Sequence, residues 1–221
     1  MEDLIEAIRS PRHTRYARAD LNRAIVRRAS SAADWELVAR LRKDGFTRVP
    51  GVDAAGPWLD ELDRGPAAFS LLGFSLDGTP LATLRVQDGR HGPLELRRFI
   101  DLDLVLRPEE RPAAQFGRLS VLRSAESTHV MFAIFKAAWQ WCDAEELRTI
   151  IIASPRWAKS IYEFMHFDSA GEAGQFKHQY AGGALHETMK LPISSLEAFW
   201  RSRDMPLSDQ FFAMHHPMLE A

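Results

Sequence analysis

The sequence predicts a mixed α/β (α+β) domain. Three observations predict it. Short β-type runs alternate with amphipathic helical stripes along the chain. Asp77-Gly78, between two apolar runs, marks a β-hairpin. A β-branched run, Thr149-Ile150-Ile151-Ile152-Ala153, follows an almost wholly apolar helix, as a central strand buried on both faces would.

The elements follow in order. Residues 1–23 form a basic, helical or irregular segment broken at Ser10-Pro11. The first 30 residues carry seven arginines against four acids, a patch suited to a solvated face or an acidic partner. Ala24–Ala29 is a strand. Ser31 is an N-cap with Asp34 at the reciprocal position of a capping box, and a helix runs to about Gly45. Trp35, Val38, Leu41 and Arg42 share its apolar side. Residues 47–66, rich in Pro and Gly, are a loop with at most a short helix over Trp58–Asp63. The hairpin strands are Ala68–Leu76 and Leu81–Val86. Residues 88–114 are irregular, with a short strand at Leu94–Leu96. Gly117–Leu122 is a strand, 125–145 the buried helix and Arg148–Ala153 the apolar strand. Pro155 opens the next helix, striped by Trp157, Ile161, Phe164 and Met165. Residues 184–193 are a strand, and Ser194–Glu197 opens a last helix before a Met-, Phe- and His-rich tail.

Composition narrows the function. The chain has 221 residues, 46% hydrophobic and 26% charged, which suits one folded domain. A net charge of −2 gives no footprint for nucleic acid. No apolar run is long enough to cross a membrane and the acidic start is not a secretory signal. The single cysteine, Cys142, lies among the tryptophans of the buried helix and is a core residue. It excludes an internal disulfide and points to the cytoplasm. His215-His216 lack a third ligand, so no metal site is expected. Neither a dinucleotide-binding glycine motif nor a P-loop occurs.

Arg118-Leu119-Ser120-Val121, the Thr149–Ala153 strand and Tyr162-Glu163-Phe164-Met165-His166-Phe167 resemble the GNAT acyltransferase fold, with His166 where the last motif usually has Gly. Leu41–Phe46 is similar to the Arg-x3-Phe/Tyr of acyl-homoserine-lactone synthases and long-chain N-acyl amino acid synthases (the N-acyltyrosine type). Asp60–Asp63, Thr83–Val86 and Gln115–Leu119 resemble three further motifs of those families, with Gln115 in place of Glu. The resemblance spans about residues 24–193, leaving 1–23 and 194–221 as flanking segments. It implies a mostly antiparallel sheet splayed between the fourth and fifth strands. The loop Arg123–Thr128 lacks the glycines that wrap CoA pyrophosphate, so the implied donor is the acyl-phosphopantetheine of acyl carrier protein, or else acyl-CoA, with no permanent cofactor.

The implied reaction is attack of a small-molecule amine on a thioester, with release of a lipid product at a membrane surface. An α-amino group is about one-tenth neutral at pH 7, so a base has about one pK unit to supply. Candidate catalytic residues are Gln115, Arg118, Ser120, Tyr162 and Glu95. The fourth-strand backbone around Leu119–Val121 would hold the oxyanion, and Tyr162 would serve the leaving thiolate. With Gln115 lacking a charge, Asp60, Asp63 or Glu95 stands in as base. Candidate substrate-binding residues are Arg42, Phe46, Asp60, Asp63, Arg85, Leu119 and Val121. An ion-pair network among Arg42, Arg85, Arg118, Asp60 and Asp63 would shape the pocket and grip an acceptor carboxylate. The alternatives are an autoinducer synthase, a CoA-dependent GNAT, or a GNAT-shaped module that binds acyl ligand or carrier protein without turnover.

Overall fold

The computed structural model describes residues 19–49, 52 and 55–213. Four of the seven arginines of the basic N-terminal patch (Arg9, Arg12, Arg15 and Arg18) and the tail histidines His215 and His216 lie outside these residues. Eight strands build one sheet: β1 (Ala24–Arg28), β2 (Ala68–Ser75), β3 (Pro80–Asp88), β4 (Ala113–Val121), β5 (Thr149–Pro155), β6 (Asp168–Ser169), β7 (Gln175–His178) and β8 (Ala184–Pro192). Their order is β1-β2-β3-β4-β5-β8-β6, with β7 also paired to β8. Every pairing is antiparallel except β4–β5.

That parallel ladder is short. It runs from Ala113 opposite Thr149 to Phe116 opposite Ile152 and stops. Beyond it β4 keeps only β3 and β5 keeps only β8, so the two strands splay. A bulge marks the place. Arg85 faces Gly117 and Thr83 faces Ser120, so Arg118 and Leu119 together oppose Leu84. Arg118 has φ +54°. A left-handed arginine costs about 1–2 kcal/mol, so its surroundings must hold it there.

Among the described residues five α-helices cover the sheet: α1 (Ala32–Phe46), α2 (Leu102–Val105), α3 (Ser127–Ala144), α4 (Lys159–Phe164) and α5 (Leu196–Ser202). α1 starts at the Ser31–Asp34 capping box. α3 fills one face, where Val130, Phe132, Ile134 and Phe135 meet Leu71, Leu84, Val86, Phe116, Ile150 and Ile152. Trp200 of α5, fully buried, joins this core against Phe164 and Phe211. On the other face α1 covers Leu72, and the 94–106 segment packs Leu94, Leu96, Leu102 and Leu106 on Ala113, Ile151 and Phe176.

Four expectations change. Leu94–Leu96 is not a strand; Glu95–Arg98 is a 3-10 turn crossing the sheet, with its amides held by side chains. β4 begins at Ala113, because burial on both sides makes a strand of a stretch without β-branched residues. Pro155 closes β5 and the helix begins at Lys159. Past the splay β5 has no β4 neighbour, so the missing proline N–H breaks no ladder bond on that side. Residues 58–63 form turns, without a helix. β6 and β7 are too short or too polar to show in the sequence.

α1 lies close on β4. A Cβ on Gly45 would run into Ser120 Oγ, which donates to the Leu41 carbonyl at 2.6 Å. Gly45→Ala should therefore lower stability by about 1–3 kcal/mol despite its better helix propensity. In a Ser120→Ala background the added cost should shrink to near zero. Equal costs in both backgrounds, by chemical denaturation, would refute the close approach.

Candidate active site

The pleat sorts the central strands. Leu71, Leu84, Val86 and Phe116 face α3. The alternate positions Ser70, Thr83, Arg85, Gln87, Gln115 and Ser120 face the other way, and all six are buried. A polar stripe therefore crosses β2, β3 and β4 beneath α1 and the 94–98 turn, beside the splay.

An ion-pair network occupies it. Arg42 grips Asp63 with two bonds of 2.8 Å and also donates to the Trp58 carbonyl and Ser70 Oγ. Arg85 donates to Asp60 at 2.7 Å and Glu95 at 2.6 Å, and lies 3.4 Å from Asp63. Arg118 donates to Asp60 at 2.9 Å and Glu95 at 3.1 Å. Those two bonds hold its left-handed backbone in place. Arg42 and Arg85 are fully buried, whereas the Arg118 side chain is 16% exposed, so Arg118 is the arginine that reaches solvent. Three guanidiniums meet three carboxylates and the charge balances.

Charge pairing decides the ionisation. Burial raises the Asp63 pKa, but Arg42 and Arg85 outweigh it and hold it below the usual carboxylate range. Burial likewise opposes Glu95, and Arg85 and Arg118 overcome it. Burial pulls the Arg42 pKa down against its Asp63 bonds, and the neighbouring arginines add to that pull. The bidentate pair keeps it charged.

The structure therefore brings together Arg42, Asp60, Asp63, Arg85, Arg118 and Glu95. Gln115 lies beside them but is engaged elsewhere. Its Oε1 accepts from the Leu96 amide at 2.9 Å, and with Gln87 it clamps the turn that delivers Glu95. Ser120 is committed to Leu41. Leu119 and Val121, partly buried, line the freed end of β4. Phe46 ends α1, with its ring 6.5 Å from Trp58. Tyr162 sits on α4 between Phe135 and Phe167, and burial pushes its pKa up to about 12. Its hydroxyl therefore stays protonated at neutral pH. His166 has φ +72°, the conformation for which the related motif uses Gly, and its ring stacks on Phe199 at 3.6 Å.

The loop after β4 is closed on itself. The Ser124 amide donates to Ser127 Oγ at 2.7 Å, the Glu126 amide to Ser124 Oγ and the Ser127 amide to the Ser124 carbonyl. Glu126 itself pairs with Arg23 at 2.6 Å. Three of the loop's amides are thereby taken up within the loop. Sequence reasoning misses Ser70 and Gln87 as network supports; the alternation of Thr83, Arg85 and Gln87 with Ala82, Leu84 and Val86 is the signal that carries Gln87.

The splayed sheet, the β4 bulge and α3 behind them define the GNAT N-acyltransferase fold. No family model matches the sequence and no curated protein matches it. Among solved structures, FeeM, an N-acyl amino acid synthase from uncultured soil microbes, superposes with a TM-score of 0.65 at 13% identity, covering 80% of this chain and 93% of that one. BjaI, a CoA-dependent acyl-homoserine lactone synthase, gives 0.59 at 14% identity over 89% and 92% of the two chains. A GCN5-related N-acetyltransferase from Kribbella flavida gives 0.53 at 18% identity over 78% and 99%. Among the described residues no helix is long and apolar enough to cross a membrane, and no cluster of His, Cys, Asp and Glu is arranged to hold a metal.

Proposed function

We propose that this protein is an N-acyltransferase that moves a long-chain acyl group from an acyl carrier protein thioester to the amine of an amino acid or similar small acceptor. The observation that carries the reading is the coincidence of the β4–β5 splay with the buried arginine–carboxylate network on one face. The acyl-pantetheine arm enters the splay. The acceptor meets it from the network side, where Arg118 takes its carboxylate. The amine nitrogen attacks the thioester carbon, a C–N bond forms, and backbone N–H groups at the β4 bulge hold the oxyanion. One such donor is worth about 3 kcal/mol. The C–S bond then breaks, and the protonated Tyr162 hydroxyl donates a hydrogen bond to the departing sulfur.

The closed 123–128 loop favours a carrier protein over CoA. Carrier-bound pantetheine brings one phosphate and needs no pyrophosphate cradle. Calorimetry with acetyl-CoA should show binding at least about tenfold weaker than long-chain acyl carrier protein, and mass spectrometry of lipids from an expressing host should reveal N-acyl amino acids. Tight acetyl-CoA binding with efficient acetyl transfer would place the protein with the CoA-dependent enzymes instead. Carrier binding without any product would make it a binding module.

A further inference from the structure

Every carboxylate of the network is held by arginine, so none is placed to relieve the acceptor amine of its proton. The same face carries a second polar group on the β5 side of the splay. β7 pairs Phe176 with His186 and His178 with Ala184, and His186 stands opposite Pro155 at the end of β5. Phe176 packs with Ala113 and Ile151 on the network face, and the pleat puts His178 and His186 there with it. The His178 ring lies 4.8 Å from both Phe99 and His186, and Phe176 is 5.9 Å from His186. The result is a four-ring enclosure. The charges of Glu95 and Arg118 both reach His178.

The tautomer of His186 is fixed. Its Nδ1 lies 3.0 Å from the Ala184 carbonyl, an oxygen that can only accept. Nδ1 therefore carries the proton and Nε2 presents a lone pair. Burial pulls the His178 pKa down to about 4 and lowers that of His186, so both rings are neutral at pH 7.

We propose that His186 Nε2, positioned by His178, accepts the proton that the acceptor amine loses during attack. The inference rests on the acyltransferase reading. An enclosure that disfavours an imidazolium also disfavours a bound ammonium, so the acceptor is held as the free amine. As the C–N bond forms, the nitrogen becomes cationic and its proton passes to His186 Nε2. When the C–S bond breaks, the imidazolium returns that proton to the thiolate. Thioester and amine become amide and thiol, and the histidine ends as it began.

The test compares His186→Phe with His186→Gln. Phenylalanine keeps a ring and removes the acceptor; glutamine does the reverse. The donor is decanoyl–acyl carrier protein, the acceptors are a mixture of the common amino acids, and thermal melts confirm folding. At pH 7 the Phe variant should lose about tenfold or more in kcat/KM for the amine, with the donor KM unchanged. The Gln variant should keep several-fold more activity than Phe. The loss in the Phe variant should narrow at higher pH, where hydroxide can take the proton that His186 would have accepted. A Phe variant as active as wild type, or a Gln variant worse than Phe, assigns the ring to packing and overturns the proposal. A wild type that transfers nothing counts against the acyltransferase reading. The pair is then judged by ¹⁵N NMR of the imidazoles: a His186 Nε2 response to free amino acids but not to their N-acetyl forms supports it, and any other pattern overturns it.

Discussion

Arg85→Ala should lower stability by about 3–5 kcal/mol and abolish the proposed acyl transfer. The side chain is fully buried and faces Asp60, Asp63 and Glu95. Removing it strands carboxylates that are too buried for water to compensate. For a chain of this size the fall in Tm should be about 10 °C. Arg85→Lys keeps the charge but not the fork that spans Asp60 and Glu95, so it should recover only part of the loss. The pH dependence gives an independent check. The folded-state pKa values of Asp63 and Glu95 are depressed. Their stabilisation is therefore present above the ordinary carboxylate pKa of about 4 and is lost as pH falls through the folded values. The gap between wild type and Arg85→Ala should close in that acid range. A gap below about 1 kcal/mol at neutral pH would mean that the network is solvated.

Arg42→Met and Asp63→Leu should each cost about 3–5 kcal/mol alone, because each leaves its partner charged and buried. Together they should cost less than either single change. The pair is bidentate and fully buried, so removing both charges also removes both desolvation penalties. Some cost remains, since Asp63 also accepts from the Asp60 amide at 2.9 Å and from Arg85. Denaturant midpoints of the two single variants and the double variant give the coupling energy directly. Additive losses would show that the two residues act separately and that the bidentate contact carries little.

Much of the fold is legible where local signals agree with tertiary ones. The Ser31–Asp34 box, the Asp77-Gly78 hairpin and the apolar α3 each follow from short-range chemistry, and the structure contains all three. The β4–β5 splay follows from family resemblance; no periodicity encodes it. The first half of β4 is hidden because Ala113, Ala114 and Gln115 have no strand preference of their own and are strands only because neighbours bury them. Within the site, Arg85 and Arg118 stand out as charges inside strands. Glu95 can be picked out as a candidate base, but its joint hold on two arginines depends on a turn fastened by Gln87 and Gln115 from two other strands. His186 carries no local signal, because its chemistry depends on a carbonyl two residues away and on rings from other segments.

The short β4–β5 ladder divides the sheet into two halves, a β1–β4 meander and a β5–β8 half whose other strands all pair with β8, stitched by the four residues 113–116 against 149–152. The first half carries the arginine–carboxylate network, and the second carries Phe176, His178 and His186, with Phe99 reaching them from the first. A seam that narrow constrains little beyond its own length. Substitutions, insertions or grafts in one half need to preserve those four register pairs, the α3 surface behind them and the packing of the 94–106 segment on Ile151 and Phe176 to leave the other half in place. The architecture is in this sense modular: the arginine–carboxylate network and the imidazole pair sit on parts joined by a short ladder, the α3 surface and the 94–106 packing, so either can vary while the other keeps its own internal contacts.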